Sequence, residues 1–388
     1  MNILICTSNS FSIPCAALNR LTLLSDALKK FDNNVFLCGF NSINKDFAIR
    51  KDRVICNLPK QHFFLPRAFD ANLRASIFYK KNLSKLIKRL NIEIIIVYST
   101  FSTLIDPINS ICHKHNIKCV VDCGERMPVT PRTLLNGVFY MQTKALLNSF
   151  HNIDGFIVLT PKWEKFAKSL GKKSVLFPAL LPRFRKLNHF QSSSKNQLKS
   201  FRIIFMGRLF RREMPMVLIK AVDIANQKGL PTELIIIGNQ GSTLFERLLL
   251  RNVINNVKKN KHIKTTGFLS NVKKTKLLDT ANCFVHLRKD DKETAHVFPT
   301  RLPEYFATSK PVILTKVEPF SLLFKHKKEV FFIPKTLKPV DLANAFLELG
   351  GNKNLSLSIG DNGKKYASKY LSSNYIGKKV NKFLEELI

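Results

Sequence analysis

At 388 residues the chain is longer than one ordinary core needs and suits two domains of typical size. A hydrophobic content of 45% with 10% aromatic residues excludes a disordered polyelectrolyte. The 63 Lys and Arg against 27 Asp and Glu leave a formal charge of +36, a field that attracts nucleic acid, an acidic membrane face or phosphorylated substrates. The excess is spread over both halves, so compositional drift stays open beside a functional reading.

Short β-branched runs alternate with helical patterns along most of the chain. "NILIC" (2–6), "VFLC" (35–38), "EIIIVY" (93–98), "KCVVD" (118–122) and "GFIVL" (155–159) read as buried parallel strands. Amphipathic segments such as "AALNRLTLLSDALKKF" (16–31) and "RASIFYKKNLSKLIKRL" (74–90) lie between them. The pattern breaks over the Pro-, Ser- and Lys-rich stretch 177–200 and restarts with "RIIFMG" (202–207), "ELIIIG" (233–238), "CFVHL" (283–287), "PVILT" (311–315) and "VFFI" (330–333). Strand alternating with helix implies βαβ units. The fold class expected is α/β, with two Rossmann-like doubly wound domains facing across a cleft. The first spans 1–180, a linker 181–200 and the second 201–372; the helix-like 373–388 is expected to pack back on the first.

Cysteines at 6, 15, 38, 56, 112, 119, 123 and 283 show no CxxC or Cys/His ligand spacing. Most fall in apolar runs, where a free thiol packs as a small hydrophobe; this reads as a reduced, cytoplasmic protein. The first strand begins at Asn2, so no signal peptide is expected. The longest apolar run, "IEIIIVYSTFSTLI", is too short to span a bilayer.

Residues 50–90 hold 11 basic and two acidic side chains. Arg74, Lys81, Lys85 and Lys88 fall at helical spacing as one basic face, with Leu73, Ile77, Leu83, Ile87 and Leu90 as the apolar one. Such a face suits an anionic membrane surface and equally an ordinary wet helix. In "KCVVDCGERMPVTPR" (118–132) Asp122 ends a strand and Glu125 follows, placed either for acceptor hydroxyls or for capping the next element.

In the second half, "RIIFMGRLFRREMP" runs from a strand through a turn at Gly207 to Arg208, Arg211 and Arg212 ahead of a helix. Basic forks beside a helix start suit a pyrophosphate; a solvated basic turn is the alternative. "IIIGNQG" ends another strand at Gly238. Neither stretch is GxGxxG, which gives a nicotinamide dinucleotide site little support. In "LRKDDKE" Asp290 and Asp291 are adjacent and flanked by cations, so no essential metal or other cofactor is expected; Arg288 stands at the strand end beside them. In "HVFPTRLPEYFATSKPVILT" (296–315), Pro299 is expected to start a helix whose amides face an anion, with Glu304 one turn inside to hold a ribose diol.

These residues carry a resemblance. "GRL…R", a strand ending "IIG", and "FPTRLPEYFATSKPVI" are similar to the nucleotide-sugar domain of GT-B glycosyltransferases, and most to the retaining family 4, whose usual form reads "fPxKxxEyxaxGkPVi". The run "VDLANAFLEL…GDNGKKYASKYLS" resembles that family's closing helices. The likeness covers roughly 200–375 well and 1–180 mainly in architecture. It implies that Glu304 binds the ribose and that Arg208 and Arg212 neutralise the diphosphate, Arg212 standing where the family more often has Lys. Arg301 matches the basic residue before the glutamate, and the amides of Val297, Phe298, Pro299 and Thr300 cap the distal phosphate and sugar, Pro299 lacking an N–H of its own. Where the family's E-x7-E has its first Glu this chain has His296, and Ser309 replaces the usual Gly before "KPV". The strand end that often carries a His in these enzymes has Asp122 and Glu125 here, which with His296 form the catalytic candidates. The function implied is transfer of a sugar from a UDP- or GDP-sugar to a glycan or lipid-linked acceptor in surface polysaccharide assembly, with retention, at the inner face of a membrane. A basic nucleic-acid binder and a catalytically degenerate scaffold of the same fold are the alternatives.

Overall fold

The computed structural model describes residues 1–12, 15–41, 47–57, 67–124, 137–181, 200–207, 209, 211–238, 248, 250–291 and 294–388. Glu125, Arg208 and nearly all of the linker lie outside the described residues. The chain divides into two compact units. One comprises Met1–Leu180, His296–Thr300 and Leu371–Ile388; the other comprises Leu181–Ala295 and Arg301–Tyr370.

The first unit is built on β1 (Asn2–Ser10), β2 (Asn34–Asn41), β3 (Phe47–Arg50), β4 (Arg53–Asn57), β5 (Ile94–Tyr98), β6 (Lys118–Cys123), β7 (Gly155–Val158) and β8 (Lys173–Leu176). Their order is β3-β4-β2-β1-β5-β6-β7-β8, and every pairing is parallel except β3 with β4. Its helices are α1 (Ala16–Leu28), α2 (Arg67–Leu90), α3 (Ser102–Lys114), α4 (Gly137–Asn152) and α5 (Pro161–Ser169).

Because strand side chains alternate, each strand feeds two cores. Ile3 and Ile5 face α1 through Leu21 and Leu24, where Ile376 and Val380 also pack. Leu4, Cys6, Ile95, Val97 and Val121 face the other way, among Tyr79, Leu83, Leu104, Ile108, Phe150 and Trp163. Six cysteines join this second core, and all eight are free thiols. Burial pushes the Cys6 and Cys123 thiols well above their ordinary range, which keeps them neutral and unreactive.

The second unit carries β9 (Phe201–Met206), β10 (Thr232–Ile237), β11 (Ile263–Gly267), β12 (Cys283–His286), β13 (Val312–Thr315) and β14 (Phe331–Ile333). All are parallel, in the order β11-β10-β9-β12-β13-β14. Its helices are α6 (Pro215–Gln227), α7 (Arg251–Lys259), α8 (Asn271–Asp279), α9 (Leu302–Phe306), α10 (Phe320–Leu323), α11 (Pro339–Gly351) and α12 (Lys353–Tyr370). The last helix, α13 (Ser373–Glu385), belongs to the first unit and packs on α1 so closely that Gly377 faces the Ala27 carbonyl.

Two sequence expectations change. The helix before "KPVIL" begins at Leu302 rather than Pro299, and Pro303 is the proline in its first turn. On α2, Arg74 is half-buried and paired with the fully buried Asp70 at 2.7 Å, so it leaves the basic face. Ile77 is 49% exposed and leaves the apolar one; Phe78, Tyr79, Leu83, Leu86 and Ile87 form that face instead. Lys80, Lys81, Lys85, Lys88 and Arg89 are the exposed cations. Among the described residues no helix is long and apolar enough to cross a membrane.

Ser309, in the place of the usual Gly, has φ +57°, a left-handed conformation that L-residues adopt at a cost. A Cβ at Gly360 of α12 would stand 2.1 Å from the Ser309 carbonyl oxygen. Replacing a helical Gly by Ala ordinarily stabilises; here Gly360→Ala is expected to lose about 1–3 kcal/mol in urea denaturation, because the overlap outweighs helix propensity. Ser309→Gly is expected to gain about 0.5–1 kcal/mol in the same measurement.

Candidate functional site

The ends of β9, β10 and β11 turn through Gly207, Gly238 and Gly267, with φ of +142°, +136° and +67°. The Gly207 amide donates to the Ile237 carbonyl at 2.8 Å and the Gly238 amide to the Gly267 carbonyl at 3.0 Å. A Cβ on Gly238 would lie 2.7 Å from the Gly207 oxygen, and one on Gly207 would lie 2.4 Å from Nη1 of Arg301. The three strands therefore end in a glycine rim, packed too tightly at Gly207 and Gly238 to admit a side chain and open only at Gly267.

Beneath the rim lies a charge cluster that sequence reasoning missed. Glu213, in the short turn Arg211–Glu213 before α6, is 3% exposed. Its carboxylate takes Nη1 of Arg288 at 2.6 Å and Nη2 of Arg301 at 2.9 Å. Burial works to raise the Glu213 carboxyl, but Arg301 and Arg288 outweigh it and hold its pKa below the ordinary value. Nη1 of Arg301 also donates to the Met206 carbonyl, and the Met206 amide donates to the Tyr305 hydroxyl at 2.8 Å. Tyr305 stacks on Phe284, with ring centroids 4.3 Å apart, and burial pushes its phenol up to about 12. Two buried guanidinium groups against one carboxylate leave one net positive charge at the strand ends, the sign an anion requires.

Glu304 sits in the first turn of α9, and its carboxylate meets Nζ of Lys274 from α8 at 2.7 Å. Arg212 is exposed beside Glu213. The structure thus brings Gly207, Gly238, Arg212, Arg288, Arg301 and Glu304 into the second unit together. The fork of Arg301 is turned to Glu213 and the Met206 carbonyl, and so it shapes the Gly207 turn. Val297, Phe298, Pro299 and Thr300 group with the first unit, as does His296. His296 is buried: its ring meets Trp163 edge-on at 5.5 Å, and its carbonyl accepts from Trp163 Nε1 at 3.2 Å.

In the first unit a cavity of about 150 Å³ is lined by Asn72, Tyr98, Ser99, Thr100, Asp122 and Gly124, among others. Ser99 donates to Asn72 at 3.0 Å. Asp122 stands at its wall but is fully buried and accepts from Nε of Arg20 at 3.0 Å and from Nη2 at 2.9 Å. Arg20 also donates to the Phe177 and Pro178 carbonyls. Burial raises the Asp122 carboxyl against the pull of Arg20. Asp122 is therefore a clamp on α1 and not the free catalytic carboxylate the sequence suggests. Asp290 and Asp291 are likewise occupied, Asp290 by Lys335 at 3.0 Å and Asp291 by the Thr294 amide at 2.7 Å.

Two largely parallel sheets, the second with a glycine-rimmed, cationic site at its strand ends, make a fold of the GT-B class. Over residues 188–366 the chain matches the family model of the glycosyl transferases group 1. Among solved structures it is similar to sucrose-phosphate synthase from Thermosynechococcus elongatus, at 14% identity and TM-score 0.77 over 100% of this chain and 98% of that one. It is also similar to HepE from Anabaena, solved with UDP and glucose, at 13% identity and TM-score 0.68 over the whole of both chains. WaaG, a glycosyltransferase involved in lipopolysaccharide biosynthesis, matches at 11% identity and TM-score 0.67 over 99% of each chain. A search of curated protein sequences finds no significant match.

Removing the Glu213 carboxylate leaves two buried arginines without a counter-charge, so Glu213→Ala is expected to cost about 3–5 kcal/mol at pH 7 in urea unfolding. A depressed folded pKa means the wild-type contribution is fully present above the ordinary Glu value, about 4.3, and lost as pH falls through the folded value. Glu213→Gln is accordingly expected to be less stable at neutral pH and to lose less on acidification.

Proposed function

We propose that the chain transfers a sugar from a UDP- or GDP-sugar to a hydroxyl of a glycan or lipid-linked acceptor, as a retaining family 4 enzyme of surface polysaccharide assembly. The observation that carries this reading is the buried Glu213–Arg288–Arg301 cluster under the Gly207–Gly238–Gly267 rim, with Glu304 one turn into α9. Arg288 and Arg212 neutralise the diphosphate, and Glu304 leaves Lys274 to accept from the ribose hydroxyls. Negative charge grows on the departing diphosphate as the glycosidic bond breaks. A preorganised cationic site stabilises that charge more than it stabilises the ground state. HepE is solved with UDP and with UDP-glucose, which agrees with a nucleoside diphosphate here.

The hydroxyl- and amide-lined cavity of the first unit suits acceptor hydroxyls, with Asn72, Ser99 and Thr100 as donors and acceptors. The exposed Lys81, Lys85 and Lys88 of α2, with Lys80 and Arg89, suit a peripheral contact at the inner face of an anionic membrane, roughly 1 kcal/mol per cation. Ile77 stands on the same side as an apolar contact.

Thermal-shift titration with UDP, GDP, ADP and dTDP tests the donor reading. One nucleotide is expected to stabilise wild type selectively. Glu304→Ala is expected to weaken that nucleotide about tenfold or more, through loss of charge-assisted bonds to the ribose. No stabilisation by any of the four would sink the reading.

A further inference from the structure

One buried group beside the cluster has no role in the transfer just described. His286 ends β12 with no solvent exposure. Its ring meets Phe320 of α10 edge-on at 5.6 Å, and its Nδ1 lies 3.9 Å from Oε2 of Glu213. Neither ring nitrogen has a hydrogen-bond partner among the described residues. Leaving such a group unsatisfied costs about 1–3 kcal/mol, so a folded protein retains it either at a loss or for another state. Among the described residues the charged groups facing it are Glu213 and Arg212 from the turn before α6, Arg288 from the continuation of its own strand, and Arg301 from the start of α9; on β13 its register partner is the apolar Leu314. Burial, then Arg288, Arg301 and Arg212, depress its pKa well below the ordinary value, so the imidazole is neutral without ligand.

Glu213 already serves two arginines, with Nη1 of Arg288 at 2.6 Å from its Oε2. A diphosphate arriving at the strand ends competes with Glu213 for Arg288 and offsets the positive field that adds to burial in disfavouring the charged form of His286. We propose that His286 is a positioning residue, which takes up one proton when a nucleoside diphosphate binds and then holds Glu213 as Arg288 turns to the phosphate. The proton comes from solvent, forms one N–H bond on the vacant ring nitrogen, and returns to solvent when the diphosphate leaves; no other bond is made or broken. The histidine acts through Glu213 and touches no reacting atom. This inference rests on the donor-site reading above.

Isothermal titration calorimetry of the full chain with UDP and GDP, in PIPES, HEPES and Tris at pH 7.0, counts the protons exchanged on binding. Any proton lost by the nucleotide itself is common to wild type and variant, so the difference between them reports the histidine. His286→Asn is expected to bind the nucleotide yet take up about one proton fewer than wild type. The dissociation constant of wild type is expected to rise up to about tenfold per pH unit above neutrality, and that of His286→Asn to stay flatter. A merely structural role would weaken binding equally at every pH. Equal proton counts in the two proteins, with nucleotide bound, overturn the proposal and leave the donor site standing. No binding by wild type overturns both. Should His286→Asn fail to fold, His286→Gln replaces it, and a wild-type dissociation constant that is flat between pH 7 and 8.5 is itself sufficient to overturn the proposal.

Discussion

A carboxylate buried between two buried guanidinium groups organises the second unit. Glu213 comes from the turn before α6, Arg288 from the end of β12 and Arg301 from the start of α9, so one side chain joins three separate stretches of chain. None of the three charges is tolerable there alone, since each would sit in a medium that solvates it poorly. The joint arrangement fixes the end of β9 through the Arg301 bond to the Met206 carbonyl. The glycine rim, the aromatic stack of Phe284 on Tyr305 and the placing of Glu304 all follow from that anchoring. Because positive charge exceeds negative by one, the same cluster that holds the fold also sets the sign of the ligand it receives.

The first unit handles its own buried charge differently. Asp122 and Arg20 form a balanced pair, with the remaining guanidinium nitrogen spent on two main-chain carbonyls. What surrounds the nearby cavity is hydroxyl and amide rather than net charge. Neutral polar walls favour polyhydroxylated ligands over phosphates, because hydroxyls can both give and receive while phosphates need cations. The two units are thus chemically distinct although both are parallel α/β sheets.

Much of this architecture is legible in the sequence. Ile94–Tyr98 and Thr232–Ile237 read as strands because a strand covered on both faces is an unbroken apolar run. β8 and β11 are edge strands, with sequences "KSVL" and "IKTTG"; one side is half wet, and their polar residues erase the signal. β3 and β4 are hidden similarly, by Arg50 and Arg53 at their ends. Gly207, Gly238, Arg288 and Glu304 are visible in the sequence through turn chemistry and family pattern. Glu213 is not, because its meaning depends on a partner 88 positions away. Arg74 looks like a surface cation because nothing local shows that Asp70, four residues earlier, is buried. Asp122 is misread for the same reason, its partner being 102 positions distant.

The path of the chain has a consequence for how the protein is made. The first sheet is written by the opening 176 residues, but one of its two cores is completed by Ile376, Val380, Phe383 and Leu384 of α13. Synthesis proceeds from the amino end. The apolar side of α1 and the faces of β1 and β5 beneath it therefore wait, partly uncovered, until α13 has been made. The second unit, whose segments all precede Leu371, is complete before the first. The order of completion of the two units is the reverse of the order in which they begin, and an apolar surface of the first stays exposed while the second is made.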